Sequence, residues 1–370
     1  MPEIAVEEHD PDWQRGVPIG SAIQQRLLDL GTDIATTPAE ELAFQHSVLA
    51  QTSLPAVRPP DDLLLWERRQ GRATLLVEAG RTINPRTGHF EQLGLPYGPK
   101  ARLLLMHLNS EAVRRQSPVI PVEDTMTAFF RRLMGRTQDG RQTKMLKGQL
   151  SALAAAQFRI GITSAEGALQ VDTKVVGAFN LWFEKDESQR ILWSSMLKLS
   201  LDYYESLHRF AVPLDERAIA VLAHSAVALD IYCWLAQRLH RILAGKPQLV
   251  PWISLQEQFG QGYNRIRRFR EFFAGLLPQI RAAYPDARFD TDGRGMTLLQ
   301  SPPPVKKRLV AVGRYGAIGG GQQHVAGPER RGQEAPHVGQ EAFAVDGAVQ
   351  RQRGRDAVRP QRRHDGGGLP

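Results

Sequence analysis

The chain has 370 residues, 42% of them hydrophobic, and a formal net charge of +8. That length suffices for two domains with their own cores. No run of about eighteen apolar residues is present to span a membrane, and the single Cys233 excludes a disulfide framework or a CxxC site. Of the 47 basic and 39 acidic side chains, 12 and 6 lie in residues 306–370, which leaves 35 against 33 on residues 1–305. The basic balance therefore belongs mostly to the tail, and a polyanionic partner of the remainder must be recognised by local clusters rather than by total charge. The N-terminus, "MPEIAVEEHDPDWQ", is acidic and has no apolar h-region, which argues against secretion and predicts a cytoplasmic protein.

Two short helical segments are expected first, around Ala22–Leu30 and Pro38–Leu49, with Pro- and Gly-marked breaks after each. "RATLLVEAG" reads as a strand, and the "NPRTGH" turn leads into "PYGPKARLLLMHLNSEAV", a helix starting near Pro99. "SPVIPV" is a short β segment, after which Asp124 is expected to cap a helix, "TMTAFFRRLMG", closed by Gly135. The next segment, "GRQTKMLKGQLSALAAAQFRI", is a helix with two unlike faces. At about 100° per residue, Leu146, Leu150 and Leu153 share one side, and Arg141, Lys144, Lys147 and Ser151 gather on the other around Gly148. No acidic residue lies between Arg141 and Arg159. "FRIGITS", "LQVDTKVVGAFNLWF" and "RILWSSMLKLS" then read as strands with turns between them. Helix, short strand, helix, helix and strands in that order is the pattern of a winged helix.

The pattern recurs in architecture, without a residue-level repeat. "PLDERAIAVLAHSAVALDIYCWLAQRLHRI" is one or two helices capped by Asp215, "QLVPWI" is a short strand, and Ser254 is expected to cap "SLQEQFG". After "GQG", the long helix "YNRIRRFREFFAGLLPQIRAAYP" places Ile266, Phe269, Phe273, Leu276 and Ile280 on one face, with Arg267, Arg270 and Arg281 roughly opposite and Arg265 and Arg268 at the flanks. "RFDTDGRGMTLLQ" reads as a β-hairpin with Arg294 at its tip. Beyond "SPPPVKKR", residues 311–370 hold no Lys, no Trp and one Leu among abundant Gly, Arg, Gln and Pro. Such a segment buries too little apolar surface to offset its ordering entropy and is expected to be disordered. Two readings of it stand: an arginine-rich arm that adds non-specific DNA affinity, or, the preferred one, a tail without function, consistent with translation out of frame.

The expected class is thus α+β and mostly helical. It comprises an N-terminal helical, variable segment (1–70), a first winged-helix domain (71–210), a second (211–305) and a basic, Gly/Arg/Gln-rich disordered tail (306–370). Three blocks, "YGPKARLLLMHLNSEAVRRQSPVIPVEDTMTAFFRRLM", "LSLDYYESLHRFAVPLDERAIAVLAHSAVALDIYCWLAQRLHRI" and "WISLQEQFGQGYNRIRRFREFF", resemble plasmid-encoded RepA replication initiators, and the likeness runs from about Pro96 to Val305. It implies a tandem winged-helix protein that binds repeated sites in double-stranded plasmid origin DNA, opens adjacent AT-rich DNA and engages the host replicative helicase and initiator proteins. Related iteron-binding initiators repress their own promoters as dimers, so a homodimer and a part in copy control belong to the same implication.

The candidate DNA contacts are Arg141, Lys144, Lys147, Gly148 and Ser151 on the first cationic helix; Gln261, Tyr263, Asn264, Arg265, Arg267, Arg268 and Arg270 around the second; and Arg294 on the hairpin. Solvated charged faces usually mix signs, and a helical Gly costs about 1 kcal/mol relative to Ala; a close approach to phosphates accounts for both departures at Gly148. Gln261, Tyr263 and Asn264 sit where a recognition helix reads base edges, and ordinary turn and capping chemistry explains them equally well. Enzyme chemistry finds little support. There is no GxxxxGK[ST] loop and no His-x-His pair, and "DTDGRG" lacks calcium ligands at its fifth position, Arg294, and its twelfth, Ser301. Tyr203 and Tyr204 read as packing and capping residues. No enzyme activity, cofactor, metal or membrane partner is therefore expected. A winged-helix transcriptional regulator shares all of this DNA-contact chemistry and remains the alternative, with a nicking or priming enzyme behind it.

Overall fold

A computed structural model describes residues 21–84, 87–121, 128, 130–131, 140–163, 167–179 and 196–305. In chain order the first half gives α1 (Ser21–Thr36), β1 (Leu42–His46), α2 (Ser47–Thr52), β2 (Leu65–Gln70), β3 (Ala73–Glu78), β4 (Arg81–Ile83), β5 (Phe90–Gln92), α3 (Gly98–Arg115), β6 (Val119–Pro121), α4 (Gly140–Ala155), β7 (Gln157–Thr163), β8 (Ala168–Thr173) and β9 (Val176–Phe179). The second half gives β10 (Met196–Leu199), α5 (Leu201–Phe210), β11 (Ala211–Asp215), α6 (Glu216–Leu222), α7 (Ala226–Arg238), β12 (Gln248–Pro251), α8 (Trp252–Phe259), α9 (Ile266–Ala283), β13 (Phe289–Thr291) and β14 (Gly295–Leu298). The chain mixes helices with antiparallel strands.

In place of the expected helix around Pro38–Leu49, the chain is extended at Leu42–His46 and becomes helical only from Ser47. The cause is a distant partner: β1 pairs along its whole length with β11, from Leu42↔Asp215 to His46↔Ala211. Tertiary pairing here overrides a local helical preference. His46 then caps α2, its Nδ1 accepting from the Val48 N–H at 3.2 Å. The first expected helix is longer than read and runs through Gly31 to Thr36. Ahead of α3 the chain adds the strand β2 and the β4–β5 hairpin, neither of which was expected. Asp124, most of "TMTAFFRRLMG" and its closing Gly135, the "RILWSS" run and the whole tail lie outside the described residues.

Three small sheets frame the candidate site. The order β2-β3-β7-β8 joins strands from before and after α3 and α4. The other two have matching orders, β6-β10-β9 and β12-β14-β13. In each, a short strand that follows a long helix (α3 or α7) pairs with the last strand of a later antiparallel pair, and a cationic helix (α4 or α9) lies between them in the chain. One apolar core runs through the described residues, with α3 and α7 at its centre: Leu103, Leu104 and Leu108 on α3 and Ile231, Tyr232 and Leu235 on α7 are fully buried. α1 packs on α9, and α4 packs on α3.

Asp215 and Ser225 cap α6 and α7, their side chains accepting from the Arg217 and Ala228 N–H groups. α8 starts earlier than expected, at Trp252 with Pro251 as its N-cap residue, which puts Ser254 inside the helix rather than at its cap. The reason lies in the hairpin. The Trp252 N–H donates to the Arg294 carbonyl and its Nε1–H to the Asp292 carbonyl, at 3.1 and 2.8 Å, so the first turn of α8 is anchored without a capping side chain.

Candidate nucleic-acid interface

α4 is laid down by its leucines. Leu146, Leu150 and Leu153 are buried with Ala154 against the α3 side of the core, and Gly80 lets the chain pass against the Ala155 carbonyl where any Cβ would collide. Burying three leucines supplies about 5–9 kcal/mol in transfer free energy, which fixes the rotation of the helix. Arg141, Lys144 and Gly148 are exposed on the other side, and Lys147 and Ser151 are half-buried at its edges. A Cβ at Gly148 would meet no atom within 4 Å, so the backbone there is open to a close partner. No described residue forms an ion pair with Arg141 or Lys144. Met145 is exposed beside them.

The second region is held by aromatics. Phe269 and Phe273 of α9 are fully buried and stack edge-on against Trp252, while Phe259 closes the cluster onto Trp234. α9 begins at Ile266, three residues later than Tyr263, because Gly262 has φ +86, a conformation suited to glycine, and the Tyr263 N–H closes back on the Gly260 carbonyl. Gln261, Tyr263 and Asn264 therefore lie in the turn before the helix. Gln261 Oε1 accepts from the Ala56 N–H at 2.7 Å, and the Tyr263 ring stacks on Phe272 with centroids 4.9 Å apart. Partial burial raises the Tyr263 phenol above its ordinary range. Asn264 is exposed, as are Arg265 and Arg268. Ile266 departs from the expected apolar face and is 40% exposed, since it precedes the first turn that meets Trp252.

The remaining cations of this region have partners within the chain. Arg267 Nε lies 3.1 Å from Glu271, and Arg270 sits over the Trp252 ring at 5.2 Å. Arg294 occupies the tip of the β13–β14 hairpin, its guanidinium 3.0 Å from Asp292. The Asp292 carboxylate accepts from the Arg294 and Gly295 backbone N–H groups, and these bonds, the first from Arg294, hold it below the usual carboxylate range. Gly295 is required there, since a Cβ would run into the Val250 carbonyl. Tyr203 is fully buried and donates to Asn109, and the Tyr204 ring meets His208 edge-on. Among the described residues no group of three His, Cys, Asp or Glu is placed to hold a metal, and no helix is long and apolar enough to cross a membrane.

Residues 95–253 match the family described as plasmid encoded RepA protein. Over this segment, somewhat under half of its length, the chain is similar to the RepA family. The matched segment runs from the approach to α3 to the first turn of α8, so it contains α4 and its cations and stops short of α9. No curated protein matches the chain. Among solved structures, a crystal structure of domains 2 and 3 of RctB superposes with a TM-score of 0.42 at 10% identity, covering 70% of this chain and 99% of that one. A second RctB domain 2–3 structure gives 0.37 at 11% identity, covering 61% and 80%. Likeness at this level bears on neither the topology nor the function of the present chain.

Two residues that organise the region gave no local signal. Gln149 Oε1 accepts from the Tyr97 N–H at 2.8 Å, and Arg102 reaches Asp230 across the core. Their partners lie 52 and 128 residues away in sequence. Only the tertiary structure reveals them.

Proposed function

We propose that the chain is a plasmid replication initiator that binds repeated sites at its origin through two winged-helix units, using α4 and α9 as the groove-facing helices. In this reading it promotes opening of the adjacent DNA and engages host replication proteins, and it acts as a binding protein that needs neither nucleotide nor metal. The observation that carries the reading is the repeated strand order, β6-β10-β9 and β12-β14-β13, each with an exposed cationic helix ahead of its last two strands. The RepA match over the first of these units supports it. Each unit offers a modest surface, and linking two raises the affinity for a tandem site well above either alone.

The test is a mobility-shift assay on duplex repeats from the vicinity of its gene against random duplex, with the parent protein and Gly148→Glu. The substitution places a carboxylate in open space on the cationic side of α4, and Glu is a better helix former than Gly by about 0.5 kcal/mol or more. The parent is expected to prefer the repeats, and the variant to melt no lower than the parent while losing most of that binding. Equal binding of repeats and random DNA, or a variant that binds normally, would remove the interface from α4. Maintenance of a suicide plasmid carrying the repeats, with the gene supplied in trans, then separates an initiator from a regulator that only represses.

A further inference from the structure

A short run of backbone ties the two cationic helices together. Gln149, on α4, accepts from the Tyr97 N–H at 2.8 Å; the next residue, Gly98, donates to the Pro55 carbonyl at 2.9 Å; and the residue after that proline, Ala56, donates to Gln261 at 2.7 Å. Three hydrogen bonds thus lead from the side chain of α4 to the turn that starts α9, through two pairs of consecutive residues. The middle of this path is locked. All five N–H groups of the Arg102 guanidinium are engaged: Nε and one NH2 hydrogen by Asp230 at 2.6 and 2.7 Å, the others by the carbonyls of Leu54, Pro55 and Gly98. Arg102 is 2% exposed, and Pro55 and Gly98 are buried. Gly98 takes φ +74, a conformation suited to glycine. A parallel tie joins Gln258 of α8 to the Gln51 carbonyl at 2.8 Å.

We infer that Gln149 and Gln261 are positioning residues: they fix the distance and phase between the two groove-facing helices, so that the protein selects the spacing between the two halves of its DNA site. The inference rests on the reading of α4 and α9 as the DNA-facing helices. It changes the part played by Gln261. The side-chain oxygen that a recognition residue would aim at a base edge is already used by the Ala56 N–H, and the residue sits before the helix rather than on it. A rigid pair of readers pays a steep cost when the helical phase of the DNA changes, because half a turn is about five base pairs; two units on a loose tether do not.

The experiment measures affinity for the bound repeat, for each half of it alone, and for versions with two or five base pairs inserted at its centre. Proteins to compare are the full chain and its Gln261→Ala, Gln261→Glu and Gln149→Ala variants, with melting curves for each. The parent is expected to lose at least tenfold in affinity on the five-base-pair insertion. Gln261→Ala and Gln149→Ala should hold each half-site as the parent does and lose less than threefold on insertion. Gln261→Glu keeps an acceptor for the Ala56 N–H, so it restores the spacing preference while weakening all sites alike by its charge. A parent that binds its repeat yet tolerates every insertion overturns the fixed spacing. Gln261→Ala that loses half-site affinity but stays sensitive to insertion would make Gln261 a base-reading residue and end its positioning role. A parent that prefers neither repeat nor half-site over random DNA defeats the underlying reading itself, a different failure from either of these. Should Gln261→Ala not fold, Gln149→Ala and Gln261→Glu carry the same comparison.

Discussion

The helices α4 and α9 both turn cations outward, yet they do so in different states. Along α4, Arg141 and Lys144 are exposed with no acidic residue in the sequence until well past Arg159. Around α9, Arg267 leans on Glu271, Arg270 on Trp252, and Arg294 on Asp292. A cation without an internal partner gives its whole counterion release to an incoming phosphate, whereas a paired one must first exchange a carboxylate for it. On the proposed reading, the first region would attract phosphate by charge alone. In the second, Arg270 and Arg294 are ordered in advance by an aromatic ring and a carboxylate, which limits the side-chain entropy they would lose on binding, while Arg265 and Arg268 are exposed.

The largest expected effect breaks the joint between the two regions. Asp230 lies on α7, beneath α9, and binds Arg102 of α3, beneath α4. Burial pushes its carboxyl above the ordinary range, with the Arg102 guanidinium pulling the other way. Asp230→Ala leaves a buried guanidinium without its counterion and should lower stability by about 3–5 kcal/mol. Pairing it with Arg102→Met should not restore the parent, because the Leu54, Pro55 and Gly98 carbonyls also depend on Arg102. Chemical denaturation followed by far-UV circular dichroism measures both variants. If the two regions are one cooperative body, each unfolds in a single transition; two transitions would show that α4 and α9 are stabilised separately.

Much of each region was legible from periodicity. The Leu146–Leu150–Leu153 stripe and the Phe269–Phe273–Leu276–Ile280 face are buried as their spacing requires, since side chains three and four apart in a helix share a face. The Asp-Gly-Arg-Gly hairpin followed from turn chemistry. What stayed hidden depends on partners far along the chain. β1 has a local pattern compatible with helix, and the hydrogen bonds that make it a strand come from β11. Periodicity alone starts α9 at Tyr263, since the positive φ of Gly262 and the stacking of Tyr263 on Phe272 are properties of the folded turn. Ser254 has the chemistry of a cap, but Trp252 had already been secured by the hairpin.

A second, smaller effect separates the scaffold from its charges. His46 is buried between β1 and α2, with Nδ1 accepting from Val48 and Nε2 3.0 Å from the Ser206 hydroxyl, and burial lowers its pKa to about 4. The folded state keeps it neutral while the unfolded chain binds a proton below about pH 6.5. The stability it contributes is thus complete above pH 6.5 and is lost as pH falls towards 4, about 2 kcal/mol of it by pH 5. Lysine and arginine do not titrate in this window, so neither cationic face changes. Urea unfolding at pH 7 and pH 5 should show the parent losing about 2 kcal/mol more than His46→Asn, which keeps an acceptor at the cap of α2. Equal losses in the two proteins would mean that His46 is protonated in the folded state.

The smallest effect is the one that tests the contrast between the helices most directly. On α4 the only charge changes available are losses: on the proposed reading Lys144→Ala removes one phosphate contact and should flatten the salt dependence of log K by about 0.9. On α9 a gain is available, because the Arg267–Glu271 pair holds a cation back. That pair is weak. Arg267 is N-terminal to Glu271, the less favourable order at four residues' separation, and their side chains are 90% and 63% exposed. Glu271→Gln should cost about 0.2–0.5 kcal/mol in stability at most, free Arg267 and remove a carboxylate from the face proposed to meet DNA. Affinity should rise and the salt dependence steepen, by less than the 0.9 lost in Lys144→Ala, because the exposed pair already exchanges with solvent. Titrations of both variants at four salt concentrations on the same duplex measure this. If Glu271→Gln leaves slope and affinity unchanged while Lys144→Ala flattens the slope, α4 binds phosphate and Arg267 does not, and the electrostatic footprint of the second region shrinks to Arg265, Arg268 and the hairpin. If the two changes are equal and opposite, the Arg267–Glu271 pair was as binding-competent as a lysine with no ion pair among the described residues, and the distinction between the two helices is one of geometry alone.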